Sequence, residues 1–296
     1  MQLIPVTDKK TIGLFHKLPF TIYRHDPNWT PPLRELTEEV FNPKKNAGIR
    51  QGGVRRWIVT DGREPLGRIA AFYEPGYAGS YEQPTGGIGF FECADNQQVA
   101  NLLFDAARQW LTSEGMEAMD GPINFGENFF NWGLLVDGRK QQTFGMQYHP
   151  GYYQQLFLNY GFQTFYEQFS YRMDITSPDL PERFWKIAAW VAQKPDFTFE
   201  HFTFKNQEKY IADFIRVHDQ AWKKHDNFKP VDPADIRSLL KDSRLLLDEE
   251  FIWYVYHQGE PIAFFMMIPD VNQVLKKLGG GKLHLFKLLK LFYYLK

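Results

Sequence analysis

Between Gly121 and Tyr153 the chain carries Asn124, Glu127, Asn128, Asn131, Trp132, Tyr148 and Tyr153. These are amides, one carboxylate and phenols set among aromatic residues. Ligand pockets combine apolar walls with a few polar groups that fix orientation, and long connections in compact domains are often functional. The set is therefore the candidate substrate-binding site, with Glu127 the candidate contact to an acceptor. Asparagine and glycine also shape loops without touching a ligand, so a purely structural role for the stretch stays open.

Other chemistries are less well served. The eight histidines show no metal-ligand spacing. His218 and His225 stand seven apart with no acidic partner at a useful interval, so no metal is expected. There is no G-x-S-x-G elbow. The lone Cys93 has no sequence-local partner to make it a nucleophile, and it excludes a disulfide framework; it reads as a small buried residue after a strand. A net charge of -1 argues against general nucleic-acid binding. The start, MQLIPVTDKK, lacks a signal pattern, and no window of 18 apolar residues occurs. A cytoplasmic protein is expected.

The elements that must position these residues follow from periodicity. A length of 296 residues suits two domains. A strand is expected over Gln2 to Val6 and a helix over Lys9 to Leu18. The proline-rich loop Asp26 to Leu33 holds Trp29, as a core anchor or a ligand contact, and a helix follows from Arg34 to Phe41. Arg56 to Thr60 and Pro65 to Tyr73 form a hairpin. Ile88 to Glu92 is a strand, and Asp95 caps a helix from Asn96 to Glu114 whose stripe is Val99, Leu102, Leu103, Ala106, Trp110 and Leu111. Glu117 to Ile123 reads as a strand. Tyr152 to Met173 then reads as an amphipathic helix with Leu156, Phe157 and Tyr160 on one face, a stop at Gly161, and an aromatic strand.

This order resembles the GNAT superfamily of N-acetyltransferases over roughly residues 1 to 174. Members often carry A-x-x-L-Y-x-x-x-G-F, matched in part by Leu156-Phe157 and Gly161-Phe162, with Tyr153 in the alanine place. The strand GGIGFFE and helix DNQQVANLLFDAARQWL match the segment that normally holds acetyl-CoA. Two positions depart. The pyrophosphate loop R/Q-x-x-G-x-G/A is replaced by Cys93-Ala94-Asp95-Asn96, without glycine and with a negative charge where an anion would sit. Phe157 stands where the family often has a tyrosine that protonates the departing thiolate.

The same scaffold is expected to restart after a linker. Glu182 to Gln193 is a helix, Phe197 to Phe204 a strand, and Gln207 to Lys224 a helix. Asp232-Pro233 opens a helix through Leu247, and Phe251 to His257 with Glu260 to Ile268 forms a hairpin around Gln258-Gly259. The arrangement is also similar to peptidoglycan aminoacyltransferases of the Fem type. The expected fold is thus α/β with a mixed sheet: a complete, degenerate acyl-CoA N-acyltransferase-like domain over 1–175, lacking the pyrophosphate loop, plus the N-terminal part of a second over 176–296. The strand and cofactor loop expected next do not follow, so a truncated chain is expected. The terminal KLHLFKLLKLFYYLK reads as a helix covering the second domain or making weak membrane-surface contact.

The resemblance implies an acyl-CoA-dependent N-acyltransferase using acetyl-CoA or another acyl-CoA, with the donor in the second domain. The acceptor would be a small-molecule or peptide amine, acylated directly from the thioester while a base takes the amine proton. The alternative is a non-catalytic ligand-binding or assembly module, which the Cys93–Asn96 connection and Phe157 favour.

Overall fold

The computed structural model describes the chain except for residues 80, 81, 124–131, 178, 179, 225–227, 229, 245 and 296. The fold is α/β with a mixed sheet, divided into two compact units: Met1–Gln168 with Asp270–Lys296, and Phe169–Pro269.

The first unit runs β1 (Gln2–Pro5), α1 (Lys9–Ile22), α2 (Arg34–Val40), α3 (Ala47–Gln51), β2 (Gly53–Thr60), β3 (Pro65–Tyr73), α4 (Pro75–Ala78), β4 (Thr85–Cys93), α5 (Gln97–Ser113), β5 (Ala118–Asp120) and α6 (Tyr153–Tyr160). Its strands lie in the order β1-β2-β3-β4-β5. Neighbours are antiparallel except β4 and β5. A parallel pair needs a crossover, and α5 supplies it. The buried stripe of α5, with Val99, Leu103, Phe104, Ala107 and Leu111, packs on Trp57, Val59, Ile69, Ala71, Ile88 and Phe91 of the sheet.

Three local expectations are corrected here. The cap of α5 is Asn96, not Asp95: its Oδ1 accepts from the amides of Gln98 (2.9 Å) and Val99 (3.3 Å). Asp95 stands one residue too early to play the cap's part. The strand expected over Glu117 to Ile123 shrinks to β5, ending before Pro122, which has no N–H for a ladder. The strand expected after Gly161 is absent among the described residues. Gly161 does take the left-handed cap at φ 111°, but residues 163–173 then run exposed and outside any strand. Phe165 is 76% and Tyr171 92% exposed. Aromatic content favours a strand only where a partner edge and a face to pack on exist.

The second unit contains α7 (Glu182–Ala192), β6 (Phe197–His201), α8 (Gln207–Trp222), α9 (Pro233–Asp242), β7 (Ile252–His257) and β8 (Glu260–Met266). Its sheet is antiparallel in the order β6-β7-β8. Gln258 and Gly259 both take positive φ at the β7–β8 turn, as a two-residue hairpin requires. Asp232 accepts from the Ala234 amide and Pro233 opens α9. Phe202, Tyr210, Ile211, Leu240, Ile252, Tyr254 and Tyr256 form a separate core.

The last stretch, α10 (Asn272–Leu278) and α11 (Leu285–Tyr294), belongs with the first unit, not with the second domain as expected. Its hydrogen bonds explain why. Asp270 accepts from the Phe144 amide, and the Asn272 side-chain Nδ2 donates to the Gln142 carbonyl. The Gly281 amide donates to Pro32, and its carbonyl accepts from Arg34. Gly280, at φ 55°, lies so close to Pro31 that a Cβ would sit 2.4 Å from that ring. Among the described residues no helix is long and apolar enough to cross a membrane.

Candidate functional site

Two buried charges in the five-stranded sheet define the candidate site. Arg68 on β3 and Glu92 on β4 are 5% and 9% exposed. The β3–β4 register shifts between Arg68 and Ala70, and Phe90 takes φ 52° on the bulged strand. Beyond this bulge Phe91 and Cys93 pack beneath α5, while Glu92 meets Tyr23 at the end of α1.

Glu92 Oε2 accepts from the hydroxyls of Tyr23 (2.9 Å) and Tyr153 (2.8 Å). Arg68 Nη2 lies 3.6 Å from Glu92 Oε1. Arg68 also donates from Nη1 to the Phe15 carbonyl (2.9 Å) and lays its guanidinium over the Phe15 ring. Burial pushes the Glu92 carboxyl up, and Arg68 and the two hydroxyls offset this only in part. Burial likewise drives the Tyr23 and Tyr153 phenols well up, so both remain donors.

Two residues singled out in the sequence join this network. Tyr153 is fully buried and, besides Glu92, accepts from the Cys93 amide at 2.8 Å. Tyr148 donates to Asp26 Oδ2 at 2.6 Å, and its carbonyl lies 3.1 Å from the Tyr23 hydroxyl. Burial and Asp26 raise its phenol to about 12. Neighbouring His149 is buried and held down at about 3, a neutral ring whose Nδ1 accepts from the Leu135 amide. Trp132 is half-buried with its ring 6.3 Å from that of Tyr166, outside the network. Asn124, Glu127, Asn128 and Asn131 lie outside the described residues. Arg68, Glu92 and Tyr23 were not singled out. For Arg68 and Glu92 the signal is a charge inside LGRIAAFY and GIGFFEC, strands apolar on both sides, where a lone charge is costly without a partner.

The end of β4 is saturated by the unit's own side chains. The Cys93 carbonyl accepts from Tyr152 (2.7 Å), its amide is taken by Tyr153, and burial lifts the thiol to about 12, which makes it unreactive. At the start of α5 the Gln98 and Val99 amides are occupied by Asn96. Phe157 is core, edge-on to Phe91 at 5.0 Å and to Phe104 at 4.9 Å. These residues do not fit an acyl-CoA at this place. A cleft of about 240 Å³ in this unit is lined by His16, Lys17, Phe20, Pro32, Arg34, Arg68, Gly281 and Lys282. Among the described residues no cluster of three His, Cys, Asp or Glu side chains could hold a metal.

No family model matches the chain. A curated relative, the bacterial ceramide synthase of Caulobacter vibrioides, is 27% identical over 309 residues, covering 100% of this chain and 77% of that protein. The GCN5-related glucosamine N-acetyltransferase region of a fungal multi-domain β-N-acetylglucosaminidase aligns over 89% of this chain and 27% of that one, at 12% identity and a TM-score of 0.47. FemX aligns over 86% of this chain and 57% of its own, at 14% identity and a TM-score of 0.37. Both structural alignments fall below a TM-score of 0.5.

Proposed function

We propose that this chain serves acyl transfer to an amine, with an acyl-CoA as donor. The observation that carries the reading is the relationship, over the whole chain, to a protein named as a ceramide synthase. Ceramide is the amide of a fatty acid with a long-chain amino alcohol, so a long-chain amine is the first acceptor to try, ahead of other small-molecule or peptide amines. The saturated end of β4 supports a division of labour in which the first unit shapes the acceptor side and the donor is held by the second. In this reading Asn124, Glu127, Asn128 and Trp132 contact the acceptor, and Tyr148 and Tyr153 hold the wall behind them. A cytoplasmic location and weak membrane-surface contact by residues 282–296 accompany it.

The test is incubation of the purified protein with palmitoyl-CoA or acetyl-CoA and a long-chain amino alcohol, read by mass spectrometry for the amide and by release of free thiol. Amide formation is expected. Absence of product together with no calorimetric binding of either acyl-CoA would overturn the reading. It would leave the second one, a non-catalytic binding module, which Phe157 and the occupied Cys93 main chain favour.

A further inference from the structure

We infer that the cleft between α1, α2 and the Gly281-Lys282 turn is a binding site for a phosphoryl group. Its lining contains five basic side chains, His16, Lys17, Arg34, Arg68 and Lys282, and no carboxylate. The base is Arg68, a buried guanidinium whose Nε has no hydrogen-bond partner. Buried donors are normally satisfied, and an orphan beside a cavity marks the place of an absent acceptor. Its Nη1 goes to the Phe15 carbonyl, while Nη2 keeps only the 3.6 Å approach to Glu92.

The other basic groups divide by what they already hold. Lys17 pairs with Glu64 at 2.6 Å, but both side chains are more than half exposed, so the pair is weak. His16 is committed to Glu38 at 2.7 Å. Arg34 and Lys282 make no side-chain hydrogen bond or ion pair among the described residues, although both flank the opening. Glu35, the nearest acid in sequence, has Oε2 occupied by the Leu283 amide. Two uncommitted cations and the guanidinium that carries the orphaned donor therefore line one small space.

A phosphoryl group suits that arrangement. It brings close to two negative charges and three strong acceptor oxygens, and arginine forks match its geometry. Phe20 and Pro32 supply an apolar wall for whatever carries it. The carrier can be a free phosphate ester or the headgroup of an anionic lipid. The site is independent of the acyl-transfer reading, because neither arm of its test contains a donor.

The test uses the whole chain in chloride buffer with inorganic phosphate added at constant ionic strength, and with vesicles of phosphatidylglycerol or phosphatidylcholine. Millimolar phosphate is expected to raise the melting temperature by about 3 °C. An Arg34→Gln, Lys282→Gln double variant is expected to melt as the parent does in chloride and to lose that rise. If only phosphatidylglycerol vesicles co-sediment with the parent, and the double variant fails to follow, the carrier is a lipid headgroup. If phosphate matches chloride and no vesicle distinguishes parent from variant, or if binding persists in the variant, the inference is overturned.

Discussion

At the scale of single residues, the molecule keeps a carboxylate and a guanidinium inside its sheet by surrounding them with phenols. Tyr153 satisfies two buried groups at once, Glu92 and the Cys93 amide. Tyr153→Phe keeps the ring but strips a partner from both, and is expected to cost about 2 kcal/mol, measured as a lower denaturant midpoint with unchanged slope. Glu38 gives the pH counterpart. Burial alone would raise its carboxyl, yet hydrogen bonds from His16 and Arg56 hold it at about 2, below the ordinary 4.5. A carboxyl depressed in the folded state adds stability above its unfolded value and loses it as pH falls through the folded one. With the side chain 31% exposed, solvent screening trims the effect to about 2 kcal/mol. Between pH 4.5 and 2 the parent should therefore lose about that much more stability than Glu38→Gln, seen in denaturant midpoints across the range. Arg68 and Glu92 could have been suspected from their apolar surroundings, but their partner Tyr23 could not, since 69 residues separate it from Glu92.

At the scale of elements, periodicity located what one helix or hairpin decides alone. The stripe of α5, the β2–β3 hairpin, the cap at Asp232 and the stop at Gly161 all depend on neighbours within a few residues. What depended on distant partners was illegible. The aromatic run after Gly161 has strand composition but no edge to join among the described residues, and residues 270–296 follow hydrogen bonds to residues 32, 34, 142 and 144. The start of α5 separates two neighbouring caps experimentally. Asn96→Ala is expected to cost about 1 kcal/mol in thermal or denaturant unfolding, and Asp95→Ala close to nothing. On β4, a Cβ at Gly87 would lie 2.3 Å from the Phe72 ring and 2.9 Å from Ile123. Gly87→Ala should thus cost about 1–3 kcal/mol by overpacking.

At the scale of the whole molecule the described residues form two cores, one beneath α5 and one between α8 and the β6–β8 sheet. Calorimetry should resolve two transitions. Leu103→Ala, at a fully buried site of the first core, should lower one, and Ile211→Ala should lower the other, each by about 2–5 kcal/mol of local stability. A single transition moved equally by both variants would contradict two separate cooperative units. The buried state of Cys93 has a practical side. It is the only cysteine in the chain, it is sealed under α5, and burial keeps its thiol protonated at neutral pH. Maleimide reagents should leave the native protein unmarked, so one cysteine placed at an exposed position such as Lys290 becomes a unique attachment point for a fluorophore or spin label, with no background to subtract.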